Sequence, residues 1–494
     1  MTRRTALKRT ALAAGGALGF HYCTSGRQRR PNIIFIMTDD QAAGQMSCEG
    51  GTIIQTPNMD RLAREGVRFQ NSFVTNSLCA PGRATCLTGT YSHINGIRGN
   101  SEAAGAIEHL DPRLATYPRA LQEAGYRTAM VGKWHLHDDP AGFDYWCILP
   151  GQGVYFDPEF IEMGERKKMS GYATDVTTDI ALDFLKKYTG PEPFCLVYQH
   201  KAPHRPFKPA PRHANLLAGV ELPHPATYDD DYATRRIAKE ARDMKFEVSL
   251  ARDYPELPPH LSPAEKKNWI FQRFVKDHYS ALYGVDENLG RLLNYLDERG
   301  LSEDTLILYT SDNGFYLGEH GWYDKRFMYE PSLRVPLLVR YPHLPGAGQV
   351  AEEFVQNIDY APTMLDFAGV PIPESMQGRS LKPILEGRPP ADWRQSIYYA
   401  YWENSWQLRN ARPEQMSYPE FKYFTAHRVG PHRGVRTGRY KLINFYTEGD
   451  YWELFDLEKD PNELNNVYGQ PAYAAVTSRL KEELNRLRRQ YRDL

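Results

Sequence analysis

Cysteine is scarce in this chain, with six residues in 494. Cys23 falls near the N-terminus, and Cys48, Cys79, Cys86, Cys147 and Cys195 show neither CxxC nor zinc-type spacing. That pattern argues against a disulfide framework or a structural zinc. Long apolar runs are also lacking. Beyond the first residues no segment reaches the roughly eighteen apolar residues of a membrane span. Net charge is nearly absent, at −1 from 60 basic and 61 acidic residues. A broad positive field of the kind that attracts nucleic acid is therefore excluded. There is no internal repeat and no low-complexity tract. What the chain does have is apolar and aromatic material: 41% hydrophobic residues, with 32 tyrosines and 8 tryptophans. This excludes a disordered chain, and the length exceeds what one small core needs.

Residues 1–26 carry Arg3, Arg4, Lys8 and Arg9, no acid, and an Ala/Gly-rich apolar stretch from Ala11 to Phe20. They are predicted to be an export signal. Arg3-Arg4 resembles a twin-arginine signal, although Ala6 stands where Phe is preferred, and a basic Sec signal is the alternative. Phe20-His21-Tyr22 lacks the small residues that would make Cys23 a lipidation site. The expected location is periplasmic or secreted. Without this segment five cysteines remain, an odd number that asks for an explanation other than pairing.

The rest of the chain alternates strand-like and helix-like segments. Asn32–Thr38 is a buried strand that ends at Asp39-Asp40, and Met59–Glu65 is a helix. Val67–Phe73 reads as one strand, Tyr117–Ala124 as a helix and Thr128–Val131 as a strand. A helix near Thr178–Tyr188, a strand at Phe194–Tyr198 and a long helix within Pro263–Arg299 follow, then strands at Thr305–Thr310 and Pro336–Val339. This order predicts an α/β fold with a large mixed, mostly parallel sheet sandwiched by helices and with sites beyond the strands' carboxyl ends. Lys208–His260, rich in proline and charge, reads as a long surface insertion. From Ser396 onward, short strands at Ile397–Tyr401, Tyr440–Phe445 and Trp452–Phe455 precede an amphipathic helix over Pro471–Leu494. The predicted domains are thus a catalytic domain over 31–395 and a small α+β subdomain over 396–494.

Four groups of polar residues follow strand ends: Asp39-Asp40, Lys133-Trp134-His135, His200 with His204, and Asp312-Asn313. Carboxylates and an amide oxygen from two strand ends suit Ca²⁺ or Mg²⁺ better than a softer metal. Each pair alone also suits a turn or a helix cap. The segment Leu78-Cys79-Ala80-Pro81-Gly82-Arg83 is more pointed. Pro81 belongs in a first helical turn, so Cys79 lies near a helix N-terminus, where amides and the macrodipole stabilise an anion.

Cys79, Pro81 and Arg83 match the C-x-P-x-R sulfatase signature, and from Pro31 to Tyr468 the chain resembles the type I sulfatases of the alkaline phosphatase superfamily. The resemblance implies the alkaline-phosphatase-like fold and oxidation of Cys79 to formylglycine by a maturation enzyme. It implies Asp39, Asp40, Asp312 and Asn313 as calcium ligands together with the modified Cys79. It implies Arg83, Lys133, His135, His204 and Lys325 as active-site cations and proton donors. In the chemistry so implied, one hydroxyl of hydrated formylglycine attacks sulfur, Lys133 and Lys325 hold sulfate oxygens, and Arg83 orients the diol. His204 protonates the leaving sugar oxygen and His135 assists release of sulfate. Gly82 departs from the usual Ser or Thr, and Pro331 falls in a segment that is often glycine-rich.

For the substrate, Phe143–Phe160, Asp312–Arg334 and Pro431–Arg436 resemble N-acetylglucosamine-6-O-sulfatases acting on glycosaminoglycans. Arg433, Arg436 and Lys422 are expected either to meet neighbouring anionic groups of such a glycan or to pack the subdomain. The competing functions are a sulfatase for another sugar position, a phosphodiesterase or phosphonate hydrolase of the same superfamily, and a non-catalytic glycan-binding relative.

Overall fold

A computed structural model describes residues 30–100, 108–188, 190–403, 427 and 429–494. The predicted export signal and Lys422 lie outside the described residues. A ten-stranded sheet forms the centre. In chain order its strands are β1 (Asn32–Asp39), β2 (Val67–Phe69), β3 (Arg127–Lys133), β4 (Tyr145–Leu149), β5 (Glu159–Glu162), β6 (Glu165–Lys168), β7 (Phe194–Pro203), β8 (Thr305–Ser311), β9 (Leu337–Arg340) and β10 (Gln349–Ala351). Across the sheet the order is β10-β2-β9-β8-β1-β7-β3-β4-β5-β6. The five central strands, β8-β1-β7-β3-β4, are mutually parallel, and β9, β5 and β6 join antiparallel. The sheet is therefore mixed with a parallel centre, as expected.

β1 shows why both faces must be covered. Its Ile34 and Ile36 enter one buried cluster, while Ile33, Phe35 and Met37 enter another. Five successive apolar side chains, Ile33 to Met37, leave the strand no face to offer water, so helices must lie on both sides,. On one face are α1 (Pro57–Glu65), α4 (Ala173–Lys187) and α5 (Pro263–Glu298). On the other are α3 (Tyr117–Glu123) and α6 (Tyr360–Phe367), with α2 (Cys79–Thr88) between that layer and the site. The 36-residue α5 begins with Pro263 in its first turn and a reciprocal capping box between Ser262 and Glu265,.

Two expectations are corrected. Val67–Phe73 is not one strand: β2 joins the large sheet, whereas Ser72–Phe73 pairs with Val355–Gln356. Lys208–His260 is not a surface insertion. Leu222, Tyr228, Phe246, Leu250 and Tyr254 are buried against α5 in the main core. Its large side chains are spaced irregularly because they come from short turns of helix, so neither periodicity revealed them.

The C-terminal region folds into an antiparallel sheet of β11 (Ser396–Tyr401), β12 (His432–Thr437), β13 (Tyr440–Phe445) and β14 (Tyr451–Asp456), followed by α7 (Ala474–Tyr491). Strand alternation divides its work. Tyr398 and Ala400 pack under Leu480, Leu484, Leu487 and Tyr491 of α7. Ile397, Tyr399 and Tyr401 face Trp322, Phe327 and Tyr329 of the segment that carries Lys325. The subdomain thus backs one wall of the site.

Candidate active site

β8, β1, β7 and β3 are neighbours in the sheet, so their carboxyl ends deliver Asp312-Asn313, Asp39-Asp40, His204 and Lys133-His135 to one place,. α2 brings Cys79 as its first residue. The Cys79 Sγ lies 3.4 Å from Asp39 Oδ1 and 3.3 Å from Lys325 Nζ. Lys133 Nζ donates to Asp39 Oδ2, and Lys325 Nζ donates to Asp40 Oδ1. His204 Nε2 stands 3.7 Å from Asp40 Oδ2. All of these groups are buried or nearly so.

Arg83 is the cross-brace. Its Nε and Nη2 donate to Asp312 Oδ2 at 2.9 and 2.7 Å, and its Nη1 donates to the Lys133 carbonyl and to Gln199 Oε1. A guanidinium can donate in several directions within one plane, so one side chain ties three strand ends together. Gly82, the departure from the signature, has a steric reason here. A Cβ at this position would sit 2.3 Å from the Asp312 carbonyl oxygen. Gly82→Ala is expected to push α2 away from Asp312 and to cost about 1–3 kcal/mol of stability. A denaturant melt checks this, and an unchanged midpoint would show that the backbones separate freely.

The charges answer one another. Burial opposes ionisation of Asp39, but Lys133, His204 and Arg83 hold its carboxyl well below the usual range. Burial and the adjacent Asp39 push Asp312 upward despite Arg83. Burial, reinforced by Asp39, raises the Cys79 thiol well above its ordinary value, so an unmodified cysteine here is a poor nucleophile,. Burial and Lys133 hold His204 low, leaving it neutral while no ligand is bound.

Several residues were not anticipated. His200 does not enter the site. β7 runs on to Pro203, and its alternation turns His200 into the core beside Tyr198, at a ring separation of 4.4 Å. Burial lowers the His200 pKa to about 3. The same alternation turns Gln199 and Lys201 toward the site, a signal that was present in the sequence once the strand's true length is known. Lys201 Nζ donates to the Gln152 carbonyl at 3.0 Å, and burial lowers its pKa to about 7. Gln152 Oε1 accepts from Lys133 Nζ at 2.6 Å. Tyr399 of the subdomain accepts from the Ser77 amide and donates to the Arg326 carbonyl, joining the approaches to Cys79 and Lys325. Of the residues expected either at the glycan or in subdomain packing, Arg436 packs between Phe73 and Phe354 and faces Glu330. Arg433 lies over the Tyr446 ring.

The 208–260 segment also reaches the site. Its Asp253 receives two hydrogen bonds from Arg205, and the Arg205 carbonyl accepts from His204 Nδ1 at 2.6 Å. With the Tyr155 hydroxyl donating to the His204 carbonyl, the imidazole is held with Nε2 toward the carboxylates.

Three carboxylates with no solvent and a buried, unpartnered Asn313 Oδ1 form a donor set of oxygens. Such a set fits a hard divalent cation. Oxygens of Asp39 and Asp40, the Cys79 Sγ and the His204 imidazole nitrogen lie within 4.8 Å of one another. Among the described residues the five cysteines are unpaired, and no helix is long and apolar enough to cross a membrane.

Comparison with known proteins agrees with this geometry. Residues 31–370 match the sulfatase family, and residues 406–490 match the C-terminal region of N-sulphoglucosamine sulphohydrolase. The chain is 42% identical to an N-acetylglucosamine-6-O-sulfatase of Bacteroides thetaiotaomicron, over 98% of this chain and 91% of that protein. It is 28% identical to the N-acetylglucosamine-6-sulfatase of Homo sapiens, over 92% and 84% of the two chains. The solved structure of BT4656 in complex with its substrate D-glucosamine-2-N,6-O-disulfate superposes with a TM-score of 0.85 at 42% identity, covering 94% of this chain and 99% of that one. A phosphonate monoester hydrolase of Agrobacterium radiobacter shares the fold at a TM-score of 0.72 and 24% identity. The chain belongs to the sulfatase family and is a sulfuric ester hydrolase.

Proposed function

We propose that this enzyme removes the 6-O-sulfate from N-acetylglucosamine or N-sulfated glucosamine residues of glycosaminoglycans, acting at the non-reducing end of the chain as a periplasmic or secreted protein. One observation carries the proposal. Cys79, at the head of α2, touches both an aspartate and a lysine of the same pocket. The 42% identity to an N-acetylglucosamine-6-O-sulfatase supports the choice of sugar.

Asp39, Asp40, Asp312 and Asn313 would hold a calcium ion, whose chemistry is Lewis acidity toward a sulfate oxygen and toward the nucleophile. A formylglycine made from Cys79 by a maturation enzyme would supply, as its hydrate, the attacking hydroxyl. The remaining work falls to the chain's own side chains. Lys133 and Lys325 turn from the carboxylates to the non-bridging oxygens that carry the negative charge of the sulfate group, while the electrons of the breaking S–O bond go to the sugar oxygen. Arg83 keeps Asp312 in place. His204, oriented by the Arg205 carbonyl, donates a proton from Nε2 to the departing sugar oxygen. It is neutral in the empty pocket, and the charge of the bound ester favours its protonation at the moment it is needed. His135 takes up a proton as sulfate is released.

His204→Ala is expected to lower turnover of 6-sulfated N-acetylglucosamine by about 10²–10⁴. It should affect nitrophenyl sulfate far less, because an aryl oxide leaves without protonation. Equal losses on both esters would make His204 a sulfate-binding group. The sugar is tested by comparing 6-sulfated N-acetylglucosamine and glucosamine-2-N,6-O-disulfate with 2-sulfated uronate, N-sulfated glucosamine and 4- or 6-sulfated N-acetylgalactosamine. Clear preference for any of the latter group refutes the 6-O-glucosamine assignment. Phosphate and phosphonate esters in the same panel test the superfamily's other chemistries.

A further inference from the structure

The carbonyl that orients His204 carries a second bond. Arg205 C=O accepts from His204 Nδ1 at 2.6 Å and from Lys201 Nζ at 3.4 Å, and a carbonyl oxygen has two lone pairs with which to take both. Lys201 is buried near the end of β7. It also donates to the Gln152 carbonyl at 3.0 Å and lies 5.0 Å from the centre of the Tyr155 ring. That tyrosine in turn donates its hydroxyl proton to the His204 carbonyl. Among the described residues the hydrogen-bond acceptors of Lys201 are thus main-chain carbonyls, not carboxylates. Burying an amino group on those terms is costly, and an apolar side chain of the same length would fill the space at less cost. What Lys201 supplies is a tie between the turn after β4 and the turn that carries His204.

The side chain of Arg205 is tied as well. Its Nε donates to Asp253 Oδ2 at 2.5 Å and its Nη2 to Asp253 Oδ1 at 2.7 Å. Longer bonds reach the Tyr323 hydroxyl at 3.3 Å and the Ser249 carbonyl at 3.4 Å, and the guanidinium lies 5.6 Å from the centre of the Tyr323 ring. A bidentate carboxylate fixes the plane of a guanidinium as well as its place. The imidazole needs such support. Its Nε2 side faces the pocket, with Asp40 Oδ2 at 3.7 Å, and the bond from Nδ1 to Arg205 is what sets the direction of the ring. Proton transfer tolerates little error in that direction.

We infer that Lys201 and Asp253 are positioning residues for the leaving-group acid: holding Arg205 by its carbonyl and by its side chain, they fix the group that aims His204 at the ester oxygen. The inference rests on the reading of His204 as that acid.

The test uses the mature enzyme with calcium present and a series of aryl sulfates whose phenols run from acidic nitrophenol to weakly acidic methylphenol. The logarithm of kcat/KM is plotted against phenol pKa. The wild type is expected to give a shallow line, and His204→Ala a steep one, because the phenoxide must then leave unprotonated. Lys201→Met and Asp253→Asn should each steepen the line partway, lowering turnover of methylphenyl sulfate about tenfold and of nitrophenyl sulfate less than about threefold. Combined with His204→Ala, neither should add further slope. That combination separates the inference from weaker sulfate binding through Gln152 and Lys133, which would lower all esters alike and persist without His204. A line parallel to the wild type overturns the inference for the residue concerned, as does added slope in the double variant. A crystal structure of Lys201→Met gives a readout independent of turnover: the imidazole is expected in more than one orientation, and a ring fixed as in the parent enzyme overturns the inference. If His204→Ala itself keeps the shallow line, the acid role of His204 is what fails, and the crystal structure alone decides whether the ring is held as inferred.

Discussion

Replacing Cys79 by alanine is expected to reduce sulfate ester hydrolysis by at least about 10⁴, the scale seen when a covalent nucleophile is removed. The fold should survive, because Cys79 makes two long contacts at the first position of a helix whose other residues stay packed. Cys79→Ser is the sharper variant. Produced in a host that oxidises only cysteine at this motif, serine offers one hydroxyl and no geminal partner to expel the sulfate, so it should be nearly as inactive. Peptide mass spectrometry of the wild type should find residue 79 lighter than cysteine, by the difference between a thiol-bearing carbon and an aldehyde. Wild-type turnover in either variant would remove Cys79 from the reaction. An unmodified thiol in fully active enzyme would remove formylglycine, since burial and Asp39 keep that thiol protonated.

Stripping divalent metal is expected to lower activity by about 10³ or more, because the pocket would lose its strongest Lewis acid. Ca²⁺ should restore it better than Zn²⁺, since the donor set is oxygen. The burial of Asp39, Asp40 and Asp312 gives a second readout. Lys133, Lys325 and Arg83 make close ion pairs with these three buried carboxylates, and two of those cations are proposed to be drawn to the substrate. Adding Ca²⁺ at a hundredfold excess over its dissociation constant should therefore stabilise the protein by about 2.7 kcal/mol. Asp39→Ala should abolish both the rescue and the stabilisation. Full activity in protein shown by elemental analysis to be free of metal would overturn the assignment.

The strands were legible where the chain is apolar at every position. Ile33–Met37 within the first strand and Leu306–Leu308 within Thr305–Thr310 have no polar residue to place on a solvated face, and both segments proved to be central strands with helices on either side. β12 was not legible, because His432, Arg433 and Arg436 make it look like a binding surface. It is a strand between two others, with Val435 as its core contact and its arginines stacked on aromatic rings. The 208–260 segment was misread for a related reason. Proline and charge do mark turns, but its aromatic residues reach the core from turns rather than from a periodic element.

Sequence alone determined which residue types could carry the chemistry. The cysteine at a helix start, the Asp-Asp and Asp-Asn pairs after strands, and the lysines and histidines near them belong to short local patterns, and local patterns survive without coordinates. It also determined the tendency of the central strands to be buried on both faces, since alternation or its absence is a property of neighbours in the chain. Tertiary structure alone decided which of these groups meet. Arg83 and Asp312 are 229 residues apart and share two hydrogen bonds. Lys325 reaches Asp40 across 285 residues. His200 and Lys201 are adjacent, yet one lies in the core and the other bonds to the active-site loop. The physical reason is that sheet order and strand length set these distances. Both come from the packing of the whole domain, which no window of sequence contains.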